Sequence, residues 1–162
     1  MKDEIVWLHL SDLHMYEKRW GWDSYQVLDE LIKDLKRGQK DEGIRPDLIF
    51  FTGDVSFGQV RDQPGDTLAD QYQKAQEFFD QVREAFSPEV AKANFFLVPG
   101  NHDVDRSQIT PEVNEWLSGE DRKLDEILTD IHGPTPMWQK SMSRLLEYQR
   151  FPSARQLVRD DG

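Results

Sequence analysis

Three short apolar runs constrain this chain more than anything else in it, because each one ends in a segment rich in carboxylate, imidazole or amide. Ile5-Val6-Trp7-Leu8-His9-Leu10 leads into Ser11-Asp12-Leu13-His14, and Asp47-Leu48-Ile49-Phe50-Phe51 into Thr52-Gly53-Asp54. Asn94-Phe95-Phe96-Leu97-Val98 leads into Pro99-Gly100-Asn101-His102-Asp103. Runs this short and this continuous are expected of strands buried on both faces of a sheet. In an open α/β sheet, ligands gather beyond the carboxyl ends of the strands. Three polar strand ends on neighbouring strands would therefore converge on one patch.

Helices fill the gaps between the runs. Residues 23–38 place Val27, Leu28, Leu31, Ile32 and Leu35 on one stripe, with Asp23 or Ser24 able to cap. Gly43 and Pro46 break the chain before the second run, and the polar stretch from Gly58 to Asp66 reads as a loop. Leu68, Tyr72, Ala75, Phe79, Val82 and Phe86 then recur at three- and four-residue steps, the spacing of a single buried helix face, until Ser87-Pro88. Strands alternating with helices predict parallel strands joined by right-handed crossovers, hence an α/β sheet covered on both faces. Beyond residue 106 the pattern is helical only, over Glu112 to Leu117, Arg122 to Ile131 and Trp138 to Tyr148. Gly133-Pro134-Thr135-Pro136 separates the last two. The expected organisation is a βαβαβ portion over residues 1–110 and a helical continuation of the same domain over residues 111–162.

Bulk properties narrow the chemistry. The chain has 162 residues, a net charge of −11 and no cysteine. An acidic surface argues against binding nucleic acid by broad charge neutralisation, although bound cations would reverse the local field and admit a nucleotide or nucleic-acid substrate. Without thiolates, a metal site must use carboxylate, imidazole, amide and water, which favours Mn, Fe or Zn over softer ions. No apolar run approaches the roughly 20 residues that span a bilayer, and the start lacks the character of a signal peptide. A cytoplasmic location without membrane contact is the expectation.

Each motif has a plain reading beside the chemical one. Asp-x-His is common, and Gly-Asp after a strand is as often a turn as a ligand. The joint occurrence, in order and at three strand ends, is what favours a site. Asp12 and His14 are two residues apart, so in extended backbone both would project to one side and share an ion. Gly53 tolerates a tight turn that brings the Asp54 carboxylate to a crowded centre. Asn101 offers a neutral oxygen.

These three blocks resemble the calcineurin-like metallophosphoesterase superfamily, whose ordered signature begins Asp-x-His, Gly-Asp, Gly-Asn-His-(Asp/Glu). The resemblance covers roughly residues 5–106 and implies a layered α/β metallophosphoesterase fold, here incomplete. It implies two divalent metal ions, with Asp12 and His14 on the first, Asp54 bridging both, and Asn101 on the second. It further implies His102 as general acid and Asp103 as the group orienting that imidazole. The substrate would be a phosphoester, and Gly53-Asp54-Val55-Ser56-Phe57-Gly58 resembles phosphodiesterase-like and nuclease-like members slightly more than protein phosphatases. The text around the first and third blocks resembles bacterial members that head longer multidomain proteins.

The signature continues with a lone His and Gly-His-x-His, and neither follows here. The only histidines are His9, His14, His102 and His132. His132 is expected at a helix C-terminus rather than on a metal, and His9 as a satisfied core residue. The missing ligands are expected downstream of Gly162, in further domains of a longer chain; the alternative is a non-catalytic sensing or assembly module with a partial metal site. Arg106 could reach a phosphate, though pairing with Asp103 or Asp105 is the favoured reading. Trp20, Trp22 and Tyr25 are expected to pack a loop on the next helix. Trp138, Met142, Leu145, Leu146 and Phe151 form a stripe expected to face sheet elements beyond this sequence.

Overall fold

In a computed structural model, residues 4–16, 22–59, 66–119 and 123–151 are described, with the side chains of residues 22–24 left aside. The chain is a mixed α/β protein built on three parallel strands: β1 (Trp7–Leu10), β2 (Leu48–Thr52) and β3 (Phe95–Val98), in the order β1-β2-β3. β1 is joined to β2 through α1 (Trp22–Glu42), and β2 to β3 through α2 (Leu68–Glu84). After β3 come α3 (Pro111–Ser118), α4 (Leu124–His132), α5 (Pro136–Met142) and α6 (Leu146–Arg150).

The expected elements are present, with boundaries moved by a few residues. α1 runs on to Glu42 and begins at Trp22, so Asp23 and Ser24 lie inside the helix rather than before it. α2 is started by Thr67, whose hydroxyl accepts from Asp70 N–H while the Asp70 carboxylate accepts from Thr67 N–H. This reciprocal cap explains why the helix begins where its apolar stripe begins. The segment predicted as one helix over Trp138 to Tyr148 is α5 and α6 separated by a tighter turn, Ser143–Leu145.

The expectation of a sheet buried on both faces is not met. Leu8, Leu10, Ile49, Phe51, Phe95 and Leu97 share the face that packs on the helices, where Phe51 and Phe95 both meet Phe79 at ring centroids of 5.0 Å. Leu28, Leu31, Ile32 and Leu35 of α1 join the same cluster. On the opposite face Trp7 is 64% exposed, Val98 is 52% exposed, and Phe50 stacks on Phe96 in partial exposure. The reason is topological. Strands laid down in one direction with crossovers of one hand must put both connecting helices on the same side. His9 belongs to this open face and is exposed, its Nε2 2.6 Å from Thr52 Oγ1, so it is hydrogen-bonded but not a core residue.

The C-terminal stripe also differs from expectation. Phe151 is buried, stacks on Tyr72 at 5.0 Å, and reaches Phe79, so the helical segment folds back on α2. Trp138 packs edge-on against Trp116, joining α5 to α3. Leu146 alone of the stripe is well exposed, at 42%. Of the early aromatic cluster, Trp20 lies outside the described residues and Tyr25 is exposed.

Phe79→Ala should cost about 3–5 kcal/mol in urea unfolding, since it empties the centre of the helix–sheet core. Trp7→Thr, on the open face, should change stability by about 0.5 kcal/mol or less.

Candidate metal centre

The three strand ends do converge, and the backbone shows how. Sheet-like pairing continues past the strands: Asp12 N donates to Gly53 O at 3.1 Å, His14 N to Asp54 O at 2.9 Å, and Gly53 N to Val98 O at 2.9 Å. The segment after β1 is thereby tied to the segment after β2, and that one to the end of β3. Asp12, His14 and Asp54 adopt positive φ values of 57°, 48° and 53°. Asp12 and His14 are thus left-handed rather than extended, while Leu13 between them is buried in the core. Aspartate and histidine enter this region more readily than most residues, but each still carries strain.

Gly100 explains the close approach of the second and third motifs. A Cβ built there would lie 2.1 Å from Asp54 Oδ1 and 2.4 Å from Asp54 N. Only glycine permits this packing. The space is used by Asp54, which is buried and accepts a hydrogen bond on Oδ1 from His102 N at 2.9 Å. Its other oxygen, Oδ2, lies 3.8 Å from His14 Nε2, and Asp12 Oδ1 is also 3.8 Å from that nitrogen.

His14, Asp54 and His102 each offer a ligand atom, and these atoms lie within 4.8 Å of one another. Donors around a single divalent ion at 2.0–2.2 Å stand about 3–4 Å apart, so the cluster needs only a small contraction to hold one. The nitrogen and oxygen donor set suits a hard or borderline cation. The residues present therefore fit a metal. Asn101 is exposed at the rim.

His102 is oriented differently from the expectation. Its Nδ1 lies 2.7 Å from the Phe57 carbonyl oxygen. A carbonyl only accepts, so Nδ1 carries a proton, and Nε2 is the nitrogen left to bind or to exchange one. The ring stands perpendicular to His14 with centroids 4.8 Å apart, and Phe57 packs against both imidazoles.

Asp103 does not meet the His102 ring. It is wholly buried, and its carboxylate accepts from Val55 N, Ser56 N, Ser56 Oγ, Gly100 N and Tyr72 Oη at 2.8–3.1 Å. Burial, together with this carboxylate, pushes the Tyr72 phenol far above its ordinary range, keeping it a neutral donor. Sequence reasoning missed Ser56 and Tyr72, whose hydroxyls support Asp103, and Gln71, which holds the backbone of the loop after β2. Buried polar residues near a motif are a signal, but their partners lie far off in sequence.

Arg106 is exposed and pairs with neither predicted aspartate, because Asp105 accepts instead from Ser107 and Gln108. His132 is the last residue of α4, exposed and apart from the cluster, as expected of a helix C-terminus.

The family model for calcineurin-like phosphoesterase matches residues 6–160, well beyond the motifs. With nearly the whole sequence matched, the chain belongs to the calcineurin-like phosphoesterase family. Metal-dependent phosphoester hydrolysis is the chemistry of that family. Among curated proteins none matches the chain. No helix among the described residues is long and apolar enough to cross a membrane.

Gly100→Ala should displace Asp54 and abolish the thermal stabilisation given by divalent metal, while leaving far-UV circular dichroism close to wild type. Asp103→Ala should be the more damaging to folding. It strands several buried donors and should cost more than about 3 kcal/mol in urea unfolding.

Proposed function

We propose that this chain supplies the core of a binuclear phosphoesterase centre, hydrolysing a phosphodiester in preference to a monoester. The observation that carries the reading is the convergence of Asp12 and Asp54 on His14, each with a carboxylate oxygen 3.8 Å from His14 Nε2, with His102 beside them at the ends of three adjacent parallel strands. In this reading Asp12 and His14 would hold one ion, Asn101 would serve a second, and Asp54 would be the carboxylate shared between them. The donor set supports Mn, Fe or Zn. When bound, such ions neutralise a phosphoryl group and make a water acidic enough to attack at neutral pH.

The remaining steps belong to the protein. Asp54 accepts from the His102 N–H on Oδ1, so its carboxylate holds its direction without reorganisation. His102 keeps its Nδ1–H on the Phe57 carbonyl, so it would act as the acid in its doubly protonated form, giving the Nε2 proton to the departing alkoxide and reverting to the neutral Nδ1–H ring. Arg106, exposed and unpaired with its aspartate neighbours, is a candidate to meet a phosphate oxygen. Residues 1–110 and 111–162 act as parts of one domain, in a cytoplasmic protein. The lone-His and Gly-His-x-His blocks of the family signature are absent from this sequence, which leaves the metal shells short of ligands. That same shortage favours the second reading, a sensing or assembly module that binds metal without turnover.

Two variants separate the roles. Manganese should raise the melting temperature of the wild-type chain and of His102→Ala, but not of Asp54→Asn. Hydrolysis of bis-p-nitrophenyl phosphate by the protein should fall about 100-fold or more in His102→Ala, the range for losing a general acid. Equal inactivity of wild type and both variants would sink the enzyme reading and leave the binding module. Loss of the manganese shift in His102→Ala would instead make that histidine a ligand.

A further inference from the structure

We infer that Gln71, on α2 and remote from the three motifs in sequence, is the positioning residue that sets the ring of His102. The inference rests on the reading of His102 as the proton donor. Gln71 is fully buried among Leu68, Tyr72 and Ala75, where an amide is costly unless its hydrogen bonds are made. They are made to the backbone of the loop after β2. Its Oε1 accepts from Phe57 N at 2.8 Å, and its Nε2 donates to Gly58 O at 3.2 Å and Asp66 O at 3.1 Å. One side chain therefore clasps both described ends of that loop.

Residues 57 and 58 in turn grip His102 at two points. The Phe57 carbonyl accepts a hydrogen bond from Nδ1–H. Gly58, at φ 94°, lies so close that a Cβ there would come within 2.9 Å of the His102 carbonyl oxygen. Phe57 also lays its ring against His102 at 5.5 Å and stacks on Tyr16 at 5.2 Å. The chain of contact runs from Gln71 to the peptide of Phe57, and from its carbonyl to the imidazole. An imidazole that donates one N–H to a fixed carbonyl has its tautomer and orientation set, and losing such support costs 10–100-fold in related settings. Asp103 cannot fill this role, because its oxygens are taken up elsewhere.

The test reads the tautomer directly. Ring nitrogen-15 spectra, recorded where the imidazole is neutral, should show His102 of the wild-type chain as the single Nδ1–H form. Gln71→Met keeps shape but makes no hydrogen bond, and should give a mixed tautomer. It should also lower kcat roughly 10-fold or more with KM little changed. Tyr72→Phe is the control, since Tyr72 is equally buried and touches Asp103 rather than Phe57 or Gly58. It should lower the melting temperature and leave the tautomer alone. Should Gln71→Met fail to fold, Gln71→Asn draws the amide back by one methylene and should shift the tautomer in the same direction. An unchanged tautomer in the folded variant, or an equal shift in Tyr72→Phe, overturns the inference. Absence of hydrolysis in wild type defeats the catalytic reading alone, and the spectra still decide the role of Gln71.

Discussion

A single buried carboxylate holds the working end of this molecule together. Asp103 accepts backbone hydrogen bonds from the segment after β2 and from Gly100 after β3, and side-chain bonds from Ser56 and from Tyr72 of α2. Three pieces of chain distant in sequence thus close on one anion. Burying a charge is affordable only with this degree of solvation by the protein itself. Once it is solvated so, the strand ends cannot drift apart without exposing unsatisfied donors. Asp54, His102 and the loop around Phe57 inherit their relative positions from that constraint.

Much of this was readable in advance, and the reasons divide by physical origin. Local periodicity exposes α1 and α2, because a buried helix face must recur at its own pitch. Continuous apolar runs expose the strands, and the polar segments that follow them mark the place where His14, Asp54 and His102 come together. What stayed hidden depends on partners far away along the chain. Nothing local in Gly100-Asn101-His102-Asp103 says that Asp103 faces Val55 and Ser56, or that the Phe57 carbonyl accepts from the His102 ring. Those are facts of tertiary closure. The left-handed backbone at Asp12 and His14 was equally invisible, since alternation along a strand suggests extended geometry until the strand actually ends.

The sheet exposes another limit of reading by pattern. Apolar residues on both faces of β1, β2 and β3 imply burial on both, yet only one face meets helices within the described residues. The pattern reports what the chain is suited to, while topology decides what this stretch of it achieves. Phe50, Phe96 and Val98 are therefore informative by their mismatch: their chemistry is that of a core, and their surroundings are not.

The left-handed aspartates and histidine carry a further consequence, for how such a site is lost over time. Asp12, His14 and Asp54 each hold a conformation that glycine or asparagine enters with less strain. A lineage released from the need for metal would gain stability by replacing Asp12 with either, with no repacking of the interior. Decay of the chemistry is then downhill for the fold.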